Sequence, residues 1–509
     1  MATAGAYSDA DSRPGGQGSD SARDLEILIR SRYPVVAVDT LEEDRLRALL
    51  GRVARRLDVP LFTWSRTQGL VREGKDQPTY DTADPFKMLA HLEASAAPGV
   101  VLLADFHPYF DDPLLVRKLR EILPAFTDDR RALILSGHGV RLPPEIGMQG
   151  VPYKLSLPDL EAIQAALRQV VRRAALEEDV RIEIGEVEAD GMARELQGLT
   201  LDEIHRILRR AMVTDGRLTA SDIQMIREAK RDTVAQSGLL EFFPAASPEP
   251  IGGMDSLRAW LEKRHGALGP EAREFGLEPP RGVLLMGVQG CGKSLMARNV
   301  AAEWELPLVR LDPASLYDKY VGETERNLRQ ALDTADAMSP VVLWIDEIEK
   351  GFARDAGEAD GGVSGRLLGT FLTWLQERDS GVFVVATAND VDRLPPELLR
   401  KGRFDEVFFV DLPGVSARRD ILALHLARRG RDPGRFDLDR LAGAAEGFSG
   451  SELEQAVVAG LYTAFAEKTD LDHETLLAEI ETAVPLSVTL SERVGSLRRW
   501  ADGRAVPAA

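Results

Sequence analysis

The chain has 509 residues, room for three or four domains at roughly 150 residues each. Its 82 acidic and 63 basic side chains leave a formal net charge of -19, a balance that repels phosphate backbones and argues against general nucleic-acid binding. Its single cysteine excludes an intrachain disulfide, and no apolar run approaches the roughly 18 residues that a membrane span needs.

Residues 1–23 are rich in Gly, Ser and Asp and lack the basic start and apolar core of a signal peptide. They are expected to form a disordered tail, and the cytoplasm is the expected compartment. From Asp24 the texture becomes α/β. Val35–Val38 reads as a buried strand, followed by a helix from Leu41 to Leu57. Pro60–Trp64, Gly99–Ala104 and Ala132–Leu135 read as three more strands. Short, wholly apolar strands alternating with helices imply a parallel sheet covered on both faces. After the first strand the chain runs Asp39-Thr40-Leu41-Glu42-Glu43-Asp44, with no glycine or lysine and with acids where a phosphate would sit. Asp105 holds the place of a Mg²⁺-positioning aspartate, but Phe106 follows where a catalytic glutamate would stand. Ser136 and Gly137 take the place of a polar sensor. Residues 24–157 thus read as a degenerate α/β nucleotide-fold module that does not hydrolyse ATP, or as an unrelated α/β domain.

Residues 158–243 read as a helical, lid-like segment. Asp159–Leu176 and Leu201–Met212 carry apolar residues at i, i+3, i+4 spacing, and Thr200 with Glu203 forms a capping-box signature. The proline-rich stretch 244–250 reads as an extended linker.

The core of the second module, 251–414, holds the chemistry. Gly287-Val288-Gln289-Gly290-Cys291-Gly292-Lys293-Ser294 is a full G-x-x-x-x-G-K-[ST] phosphate loop, preceded by an apolar strand and continued by a helix through Leu295. Its glycines let successive N–H groups point at phosphate oxygens, and the helix N-terminus adds partial positive charge. Lys293 is expected to reach the β- and γ-phosphates of ATP, and Ser294 to ligate Mg²⁺. Val341–Ile345 is a strand ending in Asp346 and Glu347. Asp346 would join the Mg²⁺ shell, and Glu347 would orient and deprotonate the attacking water. A further strand, Val382–Ala386, leads to Asn389, whose amide can sense the γ-phosphate. Arg400 and Arg403 follow beside Gly402; by composition alone they could be ordinary surface charge.

With these motifs in place the second module closely resembles the AAA family of ATPases. The resemblance implies that Arg400 is an arginine finger serving a neighbouring subunit, with Arg403 its companion. It implies that Ile251-Gly252-Gly253-Met254 borders the adenine and that Gly450 and Ser451, within Gly447–Leu453, lie beside the ribose. His425 falls where the family places a base- or ribose-contacting histidine; without the resemblance it is a lid-helix residue. Tyr320 and Val321 look like the aromatic–hydrophobic pair of a loop that grips a polypeptide client, and Gly351–Gly365 stands in the second pore-loop position as a mobile loop. Over residues 24 to about 487 the arrangement is more specific still and resembles the plastid and cyanobacterial reading-frame AAA proteins. Asp24–Pro34, Gln236–Phe242 and Phe371–Leu375 support this.

Cys291 departs from the Thr or Ala usual in the family loop. A thiol near a helix N-terminus tends towards a lowered pKa and oxidation sensitivity, and the alternative is an inert small residue. Residues 415–487 read as the helical lid, and 488–509 as a tail, a frayed solvated helix bearing Arg493, Arg498 and Arg499.

The expected fold is therefore a P-loop NTPase parallel sheet with a helical lid, preceded by the degenerate module with its own helical segment. The implied activity is ATP hydrolysis with Mg²⁺, used to remodel or unfold a protein client as a homo-oligomeric, hexameric ring. Neither a membrane nor a nucleic-acid partner is expected. An ATP-dependent switch or scaffold without threading, and a nucleic-acid remodeller, are the alternatives.

Overall fold

The computed structural model describes residues 21–509 apart from 76, 96, 97, 129, 130, 178, 179, 237, 245–247, 250, 317–322, 353–362 and 379. The chain forms two compact units, Met1–Ile182 with Leu199–Arg217, and Glu183–Gly198 with Leu218–Ala509.

The first unit is built on β1 (Val35–Asp39), β2 (Leu61–Ser65), β3 (Gly69–Arg72), β4 (Gly99–Ala104), β5 (Arg131–Gly137) and β6 (Gly150–Lys154), in the order β3-β2-β4-β5-β1-β6. Only the β2–β3 pair is antiparallel. Alternation along β1 sends Val35 and Ala37 into one apolar cluster and Val36 and Val38 into another. The sheet is thus covered on both faces, as its all-apolar strands require. The helix Ser21–Arg30 begins inside the stretch expected to be a tail. Residues 1–20 lie outside the described residues.

Where the first unit would need a phosphate loop, it has an internal carboxylate contact. Glu42 is buried; its Oε1 accepts the Leu201 N–H at 2.8 Å and its Oε2 pairs with Arg45 at 2.7 Å. Leu201 opens the helix Leu201–Asp215, capped by Thr200 and Glu203 as the sequence signature predicts.

Two three-residue strands, β7 (Arg181–Glu183) and β8 (Arg217–Thr219), lie along the chain before the second sheet. That sheet holds β9 (Leu240–Phe243), β10 (Gly282–Gly287), β11 (Leu308–Leu311), β12 (Val341–Ile345), β13 (Val382–Ala388), β14 (Glu406–Val410) and β15 (Val506–Pro507), in the order β15-β14-β10-β13-β12-β11-β9. Every pair except β11–β9 is parallel. Its central order, β14-β10-β13-β12-β11, repeats β6-β1-β5-β4-β2 of the first sheet strand for strand. In both, the first and third parallel strands flank the fourth, so the loops leaving them converge on one edge.

Residues 415–482 form a four-helix lid around Leu422, Leu453, Val457 and Leu476. The tail is not a frayed solvated helix. Val494, Leu497 and Ala501, on one face of Ser491–Ala501, are buried, and Arg498 makes a bidentate pair with Asp411 at 2.8 and 2.9 Å. Beyond it Ala508 is buried, donating to Phe409 O at 3.0 Å and accepting from Leu257 N at 3.1 Å. The i, i+3, i+7 apolar spacing accounts for the docking. No helix among the described residues is long and apolar enough to cross a membrane.

Candidate active site

β10 is buried along its whole length and delivers the chain to Gly287 at the sheet edge. There a Cβ would run into the Val410 carbonyl of neighbouring β14. Gly290 is left-handed (φ 77°), and a Cβ on it would meet the Ser451 hydroxyl. The loop therefore needs glycine at both places. Gly292 caps the helix Lys293–Glu303. Lys293, 5% exposed, folds back so that Nζ donates to Gly287 O at 2.9 Å and Val288 O at 2.8 Å. Burial pulls its pKa down to about 8.

The partners of this loop come from β12 and β13. Pairing Ile345 with Ala386 sets the two strand ends side by side. Asp346 Oδ1 accepts from Ser294 Oγ at 3.0 Å and from Thr387 Oγ1 at 2.7 Å, while the Arg310 guanidinium stands 3.7 Å from Oδ2. The Glu347 backbone is left-handed (φ 50°), a cost of order 1–3 kcal/mol for a non-glycine residue. That turn brings its carboxylate to Asn389, whose Nδ2 donates to Oε1 at 2.8 Å, and to Lys350, which pairs with Oε2. A cavity of about 270 Å³ results, lined by Gln289, Gly290, Gly292–Leu295, Asp346, Glu347, Thr387 and Asn389.

The lid reaches the same place. Ser449 caps the helix Gly450–Glu467, and Ser451 N–H donates to Gly290 O at 3.0 Å. Gly252 lies against Ile421 and Ala417 of the lid helix Val415–Arg428. His425, on that helix, is buried 3.6 Å from Glu454, and desolvation pulls its pKa below the ordinary value. Neither Gly252 nor His425 lines the cavity. Arg400 is exposed and outside it, and Arg403 is half-buried with its guanidinium on the Glu397 carbonyl. Tyr320, Val321 and most of the 351–365 loop lie outside the described residues.

Of the two readings of Cys291, the inert small residue is the one the site supports. The Cys291 thiol is pushed up to about 11 rather than lowered, because desolvation outweighs the Lys293 charge and a Gly450 backbone hydrogen bond. In the first unit Asp105, the residue after β4, has a left-handed backbone (φ 49°), as Glu347 has in the second. Phe106 after it is buried against Trp64 in a T-shaped contact, centroids 5.6 Å apart. The sequence reading missed Thr387, Glu349, Lys350 and Arg310 at the second site. Only Thr387 carried a signal, a hydroxyl at the end of an apolar strand.

A phosphate loop, a strand-end acid pair and an amide at the edge of a parallel sheet, closed by a helical lid, make this a candidate ATPase site of the AAA class. Residues 283–412 match the family described as ATPase family associated with various cellular activities (AAA). Residues 21–155 and 161–237 match the N-terminal and second domains of SpoVK-like AAA ATPases. The AAA domain-containing protein ycf46 of Pyropia yezoensis is 35% identical over 489 residues, 95% of this chain and 98% of that one. Its counterpart in Guillardia theta is 33% identical over 485 residues, 94% of both. A proteasome-activating nucleotidase of Aeropyrum pernix is 38% identical over 199 residues, 38% of this chain and 48% of that one. The chain belongs to the ycf46 family of AAA domain proteins, and it is an ATPase.

Proposed function

We propose that the second unit binds Mg²⁺–ATP in the 270 Å³ cavity and that the chain, as a homo-hexameric ring, couples hydrolysis to remodelling or unfolding of a protein client. The observation that carries the site assignment is the 2.8 Å contact between Asn389 and Glu347 at a cavity shared with the phosphate loop. The residues fit the ligand. Gln289, Gly290 and Gly292–Leu295 of the phosphate loop line the cavity, and the Ser294 hydroxyl already converges with the Asp346 carboxylate at 3.0 Å. Ser294 and Asp346 would hold Mg²⁺, which when bound neutralises charge on the β- and γ-oxygens.

The chain's own groups do the rest. Lys293 exchanges the Gly287 and Val288 carbonyls for phosphate oxygens. Glu347 releases Lys350 and takes the proton of the attacking water, while Asn389 steers that water with its amide. Arg400, exposed and outside its own cavity, supplies charge to a neighbour's phosphate, with Arg403 shaping the turn that presents it. Gly252, Gly450, Ser451 and His425 stand outside that cavity and would border the base and ribose beyond it.

A protein client is supported by the identity to the proteasome-activating nucleotidase, and the charge of -19 disfavours nucleic acid. The ring is tested by sedimentation with ATP of the Glu347→Gln chain. It should sediment as a hexamer, and specific ATPase activity of the parent should rise with protein concentration and fall when Arg400→Ala subunits are mixed in. A monomer with flat specific activity at all concentrations would contradict the ring.

A further inference from the structure

Glu349 is 5% exposed, lies two residues beyond Glu347 and has no place in the roles above. β13 ends at Ala388, so the Asn389 N–H is the first past the ladder and needs another acceptor. Glu349 Oε1 provides it at 2.9 Å. The side chain of the same asparagine donates to Glu347 at 2.8 Å. Asn389 is thus held at both ends by two carboxylates from one turn, its main chain by Glu349 and its amide by Glu347. The left-handed Glu347 followed by the 3-10 helix Ile348–Lys350 produces this split. Glu347 and Asn389 line the cavity and Glu349 does not. Its Oε2 has no hydrogen-bond partner among the described residues.

We propose that Glu349 is a positioning residue for ATP hydrolysis: by fixing the Asn389 main chain it sets where the Asn389 amide meets Glu347 and the attacking water. This rests on the assignment of Glu347 as the base. Glu349 touches neither nucleotide nor water; it acts through Asn389. Loss of its carboxylate frees the turn after β13, and a misplacement of about 1 Å at such a group costs up to about 100-fold in rate.

The test is steady-state ATPase, ATP binding and thermal unfolding on the full-length chain. Glu349→Ala should lower kcat by about 10- to 100-fold with ATP affinity and KM within about threefold. Glu349→Gln, whose amide oxygen still accepts the Asn389 N–H, should recover most of that loss. Adding Glu349→Ala to Glu347→Gln should slow turnover little further, because both act on one step. Wild-type kcat in Glu349→Ala overturns the proposal. So does a loss of kcat and affinity together, with a lowered unfolding midpoint and no recovery in Glu349→Gln, which marks a merely structural role. Wild-type turnover in Glu347→Gln would instead remove the base assignment on which the proposal rests.

Discussion

Lys293 shows how one residue's burial shapes ligand binding. Its ammonium donates to two loop carbonyls, but desolvation by burial prevails and lowers its pKa to about 8. A bound triphosphate favours the charged form and raises that pKa again. Binding should therefore take up protons around pH 8, where free Lys293 is about half deprotonated, and affinity should weaken as pH rises from 7 to 9. Titration calorimetry in buffers of different ionisation enthalpy measures the uptake; a buffer-independent enthalpy at pH 8 would contradict it. Cys291 obeys the same desolvation in the opposite sense. With its thiol near 11, it should resist iodoacetamide at pH 7 in the folded protein and react after denaturation. Mass spectrometry reads the difference. The convergence of Asp346, Glu347 and Asn389 was legible because each closely follows an apolar strand; Thr387 showed only a hydroxyl near a strand end and Glu349 no signal, since their contacts depend on the β12–β13 register.

Elements differ in legibility for a physical reason. β1, β2, β4 and β5 are buried on both faces and write themselves as apolar runs. β6 contains Pro152 and buries only Tyr153, so it has no such signature; β15 is two residues long and includes Pro507. β9 looked like the end of a helical segment, yet Leu240 and Phe242 are buried and it closes the sheet beside β11. The C-terminal helix and β15 act as a brace on β14. Burying Val494 and Leu497 stabilises by about 3–6 kcal/mol in total, at roughly 1.5–3 kcal/mol per side chain. Removing residues 491–509 should lower the unfolding midpoint of the second unit by at least about 6 °C, taking roughly 2–4 °C per kcal/mol. Differential scanning calorimetry checks this, and an unchanged midpoint would mean that the brace carries no stability.

The molecule carries one AAA-like strand order twice, with the phosphate-loop motif in the second copy. In the second unit the lid helix opening with Ser449 and Glu452 rests on the phosphate loop through Ser451 N–H and Gly290 O. In the first, the helix opening with Thr200 and Glu203 rests on Glu42 through Leu201 N–H. The repeated Gly–apolar–Ser/Thr–x–x–Glu pattern was present in the sequence; that the first copy meets a carboxylate was not, because Glu42 and Leu201 are far apart in the chain. An acid there opposes a triphosphate. Threading is a separate matter: Tyr320→Ala should keep basal turnover within a few-fold and abolish client remodelling, and intact remodelling would favour a switch without threading.

The proposed function requires a single hydrolytic ATP site per chain, in the second unit, with Glu347 as its base. Equilibrium binding stoichiometry combined with single-turnover hydrolysis, on the parent and on Glu347→Gln, tests it most directly. Both should bind one ATP per chain, with hydrolysis at least about a hundredfold slower in the variant. Two ATP per chain, or near-parental hydrolysis by Glu347→Gln, would contradict it.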